Sequence, residues 1–311
     1  MTAQGQELSF GIKTSQMGLT YQEILSTWRQ ADQIPAISHA WLWDHMVPLR
    51  GDVTGAALEA WTLLAALAAQ TSRLRLGVIV TSNRLRNPAL LAKMAATTDI
   101  IAGGRLDFGL GAGGSRITGP NPAVREYGAY GVPLVSPGEA VRDLAQTCTL
   151  VRRLWTEDQP FGFRGPSIEL TGAVCEPKPL QKPHPPIMIG GAGDQVLRIV
   201  AEHADIWNYP GPPSDDFRRR NQVLSDHCAA VGRDPAGITR SMQTVVRCDD
   251  PREPAATRAM LLEMIDAGVT HIVLAAVLAG RPVQWLADEI IEPVRAEAST
   301  SDGVPLPGSP H

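Results

Sequence analysis

Three stretches of this chain have residue types and spacing suited to chemistry. Asp44 and His45 stand together just after the apolar run of residues 40–43. An imidazole exchanges protons near neutral pH, although histidine also serves structural roles. Asp44 alone has the makings of a cap for the following turn. Two glycine stretches follow two other apolar runs: Gly111-Ala112-Gly113-Gly114 and Gly190-Gly191-Ala192-Gly193. Without a Cβ, backbone there can approach a ligand closely. A single glycine after a strand is more often a turn. The second stretch, however, precedes a helix predicted to start at Gln195, whose N–H groups and positive end favour a phosphate. Together these features describe a phosphate cradle beside an imidazole. Few other ionisable groups accompany them. That balance suits a bound organic cofactor that carries the chemistry while the protein binds and orients.

Other chemistries find no support. No acidic pair is placed for glycoside hydrolysis, and there is no GxSxG nucleophile. GLGAGG at 109–114 has the look of a dinucleotide fingerprint, but residues 115–135 do not read as an apolar helix and no acidic strand end follows at the right distance. The seven histidines form no HExxH motif or Cys/His cluster. Cys148, Cys175, Cys228 and Cys248 are widely spaced and read as reduced, unpaired thiols. Lysine occurs only at 13, 93, 178 and 182. Lys13 ends a predicted strand, where a barrel could hold a Schiff-base lysine. Small and polar residues follow it, so no desolvation is expected to lower its pKa. The net charge is −4, from 28 basic and 32 acidic residues, and no basic stripe suggests nucleic acid. Arg218-Arg219-Arg220 reads as a solvated helix face. The longest apolar run, 60–69, is too short to span a bilayer, and the first ten residues lack a signal pattern. A cytoplasmic protein acting on a small molecule, with no nucleic-acid or membrane partner, is expected.

The elements that must position these residues alternate. The central stretch, 74–114, reads as a buried strand (74–80), a polar loop (81–87), a helix with Pro88 at N1 (88–101), a Gly103-Gly104 stop and a second strand (106–110). Before it come a strand at 8–13, a helix at 21–33 opened by a Thr20/Glu23 capping box, a strand at 40–43 and a helix within 52–69. After it comes a loop, 115–135, long enough to be functional. A helix capped by Ser136 runs to Trp155. An excursion at 158–186 carries a hairpin. Strands at 187–189, 205–209, 238–246 and 271–277 then alternate with helices at 195–204, 214–231 (capped by Ser214), 254–267 and 282–296. Eight strands and eight helices predict one α/β domain over residues 1–298: a closed (β/α)8 TIM barrel with insertions after strand four and before strand five. An open doubly wound sheet is the alternative. Residues 299–311 read as a disordered tail. Barrel ligands sit beyond the carboxyl ends of the strands, where Asp44, His45, Thr81, Asn83 and both glycine stretches fall.

Through LRLGVIVT…NPALLAKMAATTDIIAGGRLDFGLGAG, EYGAYGVPLVSPGEAVRDL and PPIMIGGAGDQVLRIVAEHADIWN, the chain resembles the luciferase-like monooxygenase superfamily over about residues 8–296. The resemblance implies a (β/α)8 barrel that binds FMN or coenzyme F420, a 5-deazaflavin. Asp44-His45 is similar in place to the Asp-His pair of deazaflavin-dependent sugar-phosphate and alcohol dehydrogenases, which favours that branch. It implies a catalytic, ring-facing His45 and an Asp44 bonded to the heterocycle. It further implies a non-prolyl cis peptide near Val78, Ile79 and Val80 forming a bulge against the ring. Thr81 and Asn83 would flank the ring, Gly111, Ala112 and Gly113 would line the ribityl chain, and Gly190, Gly191, Ala192 and Gly193 would hold the phosphate. Tyr127 and Tyr130 would close over the site or pack the loop.

There are departures. The glutamate that follows GxG in the sugar-phosphate enzymes is Gly114, so the obvious second acid is missing. Their tryptophan after Asp-His-x-x-Pro is Leu49, and a common His-Pro is Asn87-Pro88. Arg84, Arg86 and Arg116 read as solvated, with the coenzyme's oligoglutamate tail as another use. The activity implied is hydride transfer between C5 of the deazaflavin and an organic substrate. The alternatives are an FMN-dependent monooxygenase fed by a separate flavin reductase and a flavin-binding protein without turnover. Homodimers are common in the superfamily.

Overall fold

The computed structural model describes residues 7–49, 52, 54–116, 122–248, 250, 252–278 and 280–301. In chain order its elements are β1 (Ser9–Lys13), α1 (Tyr21–Gln33), β2 (His39–Leu42), α2 (Ala60–Ala68), β3 (Arg75–Val78), β4 (Thr81–Ser82), α3 (Pro88–Ile101) and β5 (Leu106–Gly111). There follow α4 (Pro122–Ala129), α5 (Pro137–Thr156), β6 (Phe161–Arg164), β7 (Glu169–Ala173), β8 (Ile187–Gly190), α6 (Asp194–His203), β9 (Ile206–Tyr209) and α7 (Ser214–Ala230). The last are β10 (Thr239–Arg247), α8 (Glu253–Asp266), β11 (His271–Val277), α9 (Gln284–Leu286) and α10 (Glu292–Ser301).

The parallel strands run in the order β3-β2-β1-β11-β10-β9-β8-β5, and β5 returns to β3. The sheet is therefore a closed eight-stranded barrel. The third strand is broken by a cis peptide between Ile79 and Val80, and its far piece, β4, pairs only with β5. The excursion before β8 carries the expected antiparallel hairpin, β6 with β7. The insertion after β5, expected as a loop, contains α4.

Local signals explain most boundaries. Thr20 with Glu23 and Ser136 with Glu139 form both bonds of their capping boxes. The helix expected within 52–69 starts only at Ala60, because the Glu59 carboxylate accepts the N–H groups of Trp61 and Thr62. Ser214, expected as a cap, is instead the first helical residue, after Pro213. The closing helix is not continuous: a π-helical turn, Ala287–Ile291, separates α9 from α10. Pro293 has no N–H to give the Glu289 carbonyl, and the Arg258 guanidinium takes that carbonyl at 2.8 Å. Helix α10 reaches Ser301; the rest of the expected tail lies outside the described residues.

The main core lies between barrel and helices. Inside the barrel sits a smaller apolar cluster of Trp41, Ile79, Met188, Ile206 and Val273. Beside it His39 and His271 stack with ring centroids 3.8 Å apart. Trp41 Nε1 donates to His39 Nδ1 at 2.7 Å, and His271 Nδ1 pairs with Ser241 Oγ at 2.8 Å. Burial pushes His271 down to about 3 and His39 well below the usual imidazole range, helped by the neighbouring Arg75 charge.

Both rings fold neutral. Between about pH 3 and 6.5 the unfolded chain binds the additional protons, so stability must fall as pH falls through that window. Urea titrations are expected to lose about 1–2 kcal/mol per such histidine between pH 6.5 and 5. His271→Gln should flatten the slope; an unchanged slope would contradict the assignment.

Candidate functional site

At the carboxyl ends of β1 to β5 opens a cavity of about 460 Å³. His45, in the loop after β2, lines it. Its Nδ1 lies 3.2 Å from Oε2 of Glu126, and Glu126 Oε1 accepts the Met46 N–H at 2.5 Å. Burial raises the Glu126 carboxyl, but the bonds from His45 and Met46 outweigh it and hold the group below the usual carboxylate range. A carboxylate on Nδ1–H leaves Nε2 as the nitrogen that meets a ligand. The second acid missing at Gly114 is thus present, delivered from α4. The same segment holds the histidine loop twice more: Arg125 of α4 donates to the Pro48 carbonyl, and Tyr130, just after the helix, donates through Oη to the Met46 carbonyl.

Asp44 is buried and fully engaged. Arg86 grips its two oxygens at 2.8 Å each, and the Ser82 N–H donates to it at 2.7 Å. Arg86 also pairs with Glu59, the cap of α2. Asp44 therefore forms pocket wall and ties the end of β2 to β4; its oxygens are spent on the protein, not held open for a heterocycle. Arg86 and Arg84 are not solvated as expected: their side chains are 8% and 14% exposed, and Arg84 pairs with Asp143. Arg116 is exposed.

The glycine loop after β5 is shaped by Tyr127. This buried side chain accepts the Gly114 N–H at 2.5 Å and bonds Ser82 Oγ at 2.6 Å. A Cβ on Gly114 would stand 2.5 Å from that of Ala123 and 2.9 Å from the Tyr127 ring. A glutamate there would displace α4. On Gly113, at φ +79°, a Cβ would strike Ser82 Oγ at 2.5 Å. Val80 occupies the space left by two glycines: Cβ atoms on Gly111 and Gly190 would approach it to 2.7 and 3.0 Å.

Of the residues expected at the site, Asp44, His45, Ile79, Val80, Thr81, Gly111, Gly113 and Tyr127 line this cavity. Gly190 adjoins it through Val80. Gly191, Ala192 and Gly193 follow Gly190 in the chain but do not line the cavity: Ala192 packs against the main core, and Gly193 precedes α6 with no side-chain cap and open space around its Cβ position. That uncapped helix start, with open space at Gly193, fits the phosphate of a ring cofactor. Asp194 in the first turn is directed to His227 at 3.2 Å. Four more expectations fall elsewhere. Val78 belongs to the main core, and Ala112 packs against it. Asn83 lines a neighbouring cleft with Arg84 and Asp143. Tyr130 is half exposed and serves the histidine loop.

Sequence reasoning missed Glu126, Trp43, Gln243 and the state of Lys13. Glu126 immediately precedes Tyr127 in a stretch already singled out, which was the available signal. Lys13, expected to be solvated, lines the cavity. Its Nζ donates to Gln243 Oε1 and lies 4.6 Å from the centre of the Trp43 ring. Burial brings it down to about 8.

The closed barrel and the broken third strand are what the luciferase-like resemblance implied. Residues 7–299 match the luciferase-like monooxygenase family, and the chain belongs to it. A phthiodiolone/phenolphthiodiolone dimycocerosates ketoreductase of Mycobacterium bovis (strain BCG / Pasteur 1173P2) is 32% identical over 219 residues, 68% of this chain and 54% of that protein. The chain spans about half the length of the curated ketoreductases it matches. An F420-dependent secondary alcohol dehydrogenase in complex with an F420-acetone adduct shares the fold (TM-score 0.78, 18% identity, 93% and 99% of the two chains). So does a riboflavin lyase with modified FMN and riboflavin (TM-score 0.75, 15% identity, 94% and 92%). Among the described residues no helix is long and apolar enough to cross a membrane.

Removing one partner of a buried ion pair strands the other. Arg86→Met is expected to cost about 3–5 kcal/mol in urea unfolding. Adding Asp44→Asn to it should recover part of the loss. Full stability of the single variant would mean Asp44 is not held as described.

Proposed function

We propose that this protein is an oxidoreductase that moves a hydride between C5 of coenzyme F420 and a carbonyl or alcohol group of an organic substrate. The observation that carries the reading is the His45–Glu126 pair in the wall of a cavity whose floor is the Ile79–Val80 break. The ketoreductase relative and the F420-dependent fold neighbour support the same class of chemistry.

When bound, the deazaflavin supplies a carbon that gives or accepts a hydride. The chain's own residues do the rest. Ile79 and Val80 would cover one face of the ring, so substrate meets the other. Glycines 111 and 190 leave room for Val80, and Gly113 for Ser82 and Tyr127, so that these side chains can form the cavity wall, and the uncapped start of α6 would take the phosphate. His45 Nε2 gives a proton to the substrate oxygen in reduction and removes it in oxidation. Glu126 fixes the imidazole's orientation and offsets the charge of its protonated form. Trp43 and Leu49 keep the cavity wall apolar beside the reacting groups.

FMN is the rival cofactor, since a fold neighbour contains a modified FMN. Fluorescence quenching with each cofactor, and oxygen uptake with reduced FMN, separate the two readings. Quenching by F420 is expected; tight FMN with no F420 binding would replace this proposal with a reductase-fed monooxygenase. Binding without hydride exchange to any aldehyde, ketone or alcohol tried would leave a flavin-binding protein. His45→Ala should bind F420 nearly as wild type and lose about 10²–10⁴-fold in turnover. Undiminished turnover would remove His45 from the mechanism.

A further inference from the structure

Lys13 stands apart from the ion pairs of this cavity. Two carboxylates line it, and each is bonded to another group: Asp44 to Arg86, which also pairs with Glu59, and Glu126 to the His45 imidazole. Lys13 is the one ammonium or guanidinium that lines it among the described residues. Its partners are an amide oxygen and an aromatic face, both neutral. No described carboxylate forms an ion pair with it.

The surroundings hold Lys13 in place rather than neutralise it. Gln243, whose Oε1 accepts the Lys13 N–H hydrogen bond, donates to Asn208 Oδ1 at 3.2 Å; Asn208 donates to Ser241 Oγ at 3.1 Å, and Ser241 meets His271. This chain of neutral side chains leads down the barrel interior and anchors the amide oxygen beneath the ammonium. Trp43 is fixed by Gln16, which accepts its backbone N–H at 3.1 Å and donates to its carbonyl. The Trp43 Nε1–H is buried without an acceptor. An ammonium has three N–H donors, and Gln243 uses one. The ammonium thus keeps free donors toward the cavity, and the two carboxylates on the wall are bonded to other groups.

We infer that Lys13 is the anion-binding group of this cavity and holds one negative charge of the bound small molecule, with His45, whose ring centre lies 6.0 Å from that of Trp43, serving the reacting oxygen. The negative charge has two sources of the same chemistry: a carboxylate on the substrate, or the pyrimidine edge of a reduced ring cofactor. The inference deepens the proposed function by giving its ligand a charge. It rests on that reading only in taking this cavity as the ligand site. A ligand anion would repay the desolvation that now lowers the Lys13 pKa. The other titratable groups around it are His39 and His271 deeper in the barrel and Asp44, His45, Glu126 and Tyr127 along the wall, none of them ion-paired to Lys13.

The test compares wild type with Lys13→Met and Lys13→Arg by calorimetric titration. One arm uses pyruvate against pyruvamide, and the other reduced F420 against a reduced analogue with carbon in place of N1, which cannot ionise there. A charge-assisted hydrogen bond predicts that Lys13→Met weakens the anionic member of one pair by about 10- to 100-fold. The neutral member should change less than about 3-fold, and Lys13→Arg should retain most of the affinity. The arm that responds names the source. In unmodified protein, the pH midpoint for acetylation of Lys13 by acetic anhydride should rise when that anion is bound; this readout does not depend on a variant folding. Equal loss for charged and neutral members, no anion binding in either arm, or an unmoved midpoint would overturn the inference. Charge-dependent binding without hydride transfer would sink the proposed reaction and leave the role of Lys13 standing.

Discussion

The rim of this barrel depends on one buried ion pair. Asp44 follows the second strand, and Arg86 follows the third; between them lies the break in the third strand, where ordinary ladder pairing is lost. Burying a charge pair is often no better than packing apolar groups, because both ions lose water. Here the pair has two aligned hydrogen bonds, a backbone N–H from Ser82 and a second carboxylate from Glu59. Those additions satisfy the groups and fix geometry where the sheet cannot. His45 is the next residue along, so its direction follows from the anchoring of Asp44.

A second layer of the same logic comes from the insertion after β5. Helix α4 closes one side of the cavity and sends three consecutive side chains to separate tasks: Arg125 to the Pro48 carbonyl, Glu126 to His45 and Met46, Tyr127 to the glycine loop. The helix can approach because Gly114 has no side chain. A glycine where relatives are expected to carry an acid, and an acid on the helix that packs against it, are two halves of one exchange. The imidazole keeps a carboxylate partner although its place in the sequence has moved.

What was legible in the sequence was local or periodic. Capping boxes at Thr20 and Ser136 act over three residues, and buried parallel strands announce themselves as apolar runs, so the barrel and its order could be read directly. The broken third strand came from resemblance. The rest depended on contacts between distant segments. Arg86 read as solvated because its partner is 42 residues away, and Glu126 drew no notice because His45 is 81 residues away. Lys13 read as solvated because polar residues follow it; only barrel closure brings Gln243 and Trp43 around its ammonium. The π-turn before Pro293 likewise needed Arg258 from another helix to tolerate it.

The central claim is that strand ends and loops at one rim converge on a single ring-binding cavity with His45 at its open face. A crystal structure of the protein grown with coenzyme F420 tests it most directly. The account requires the tricyclic ring against Ile79 and Val80, His45 on the opposite side within reach of substrate, and the phosphate near the uncapped start of α6. A ring bound on another face, or seated here with His45 turned away from it, would contradict the account.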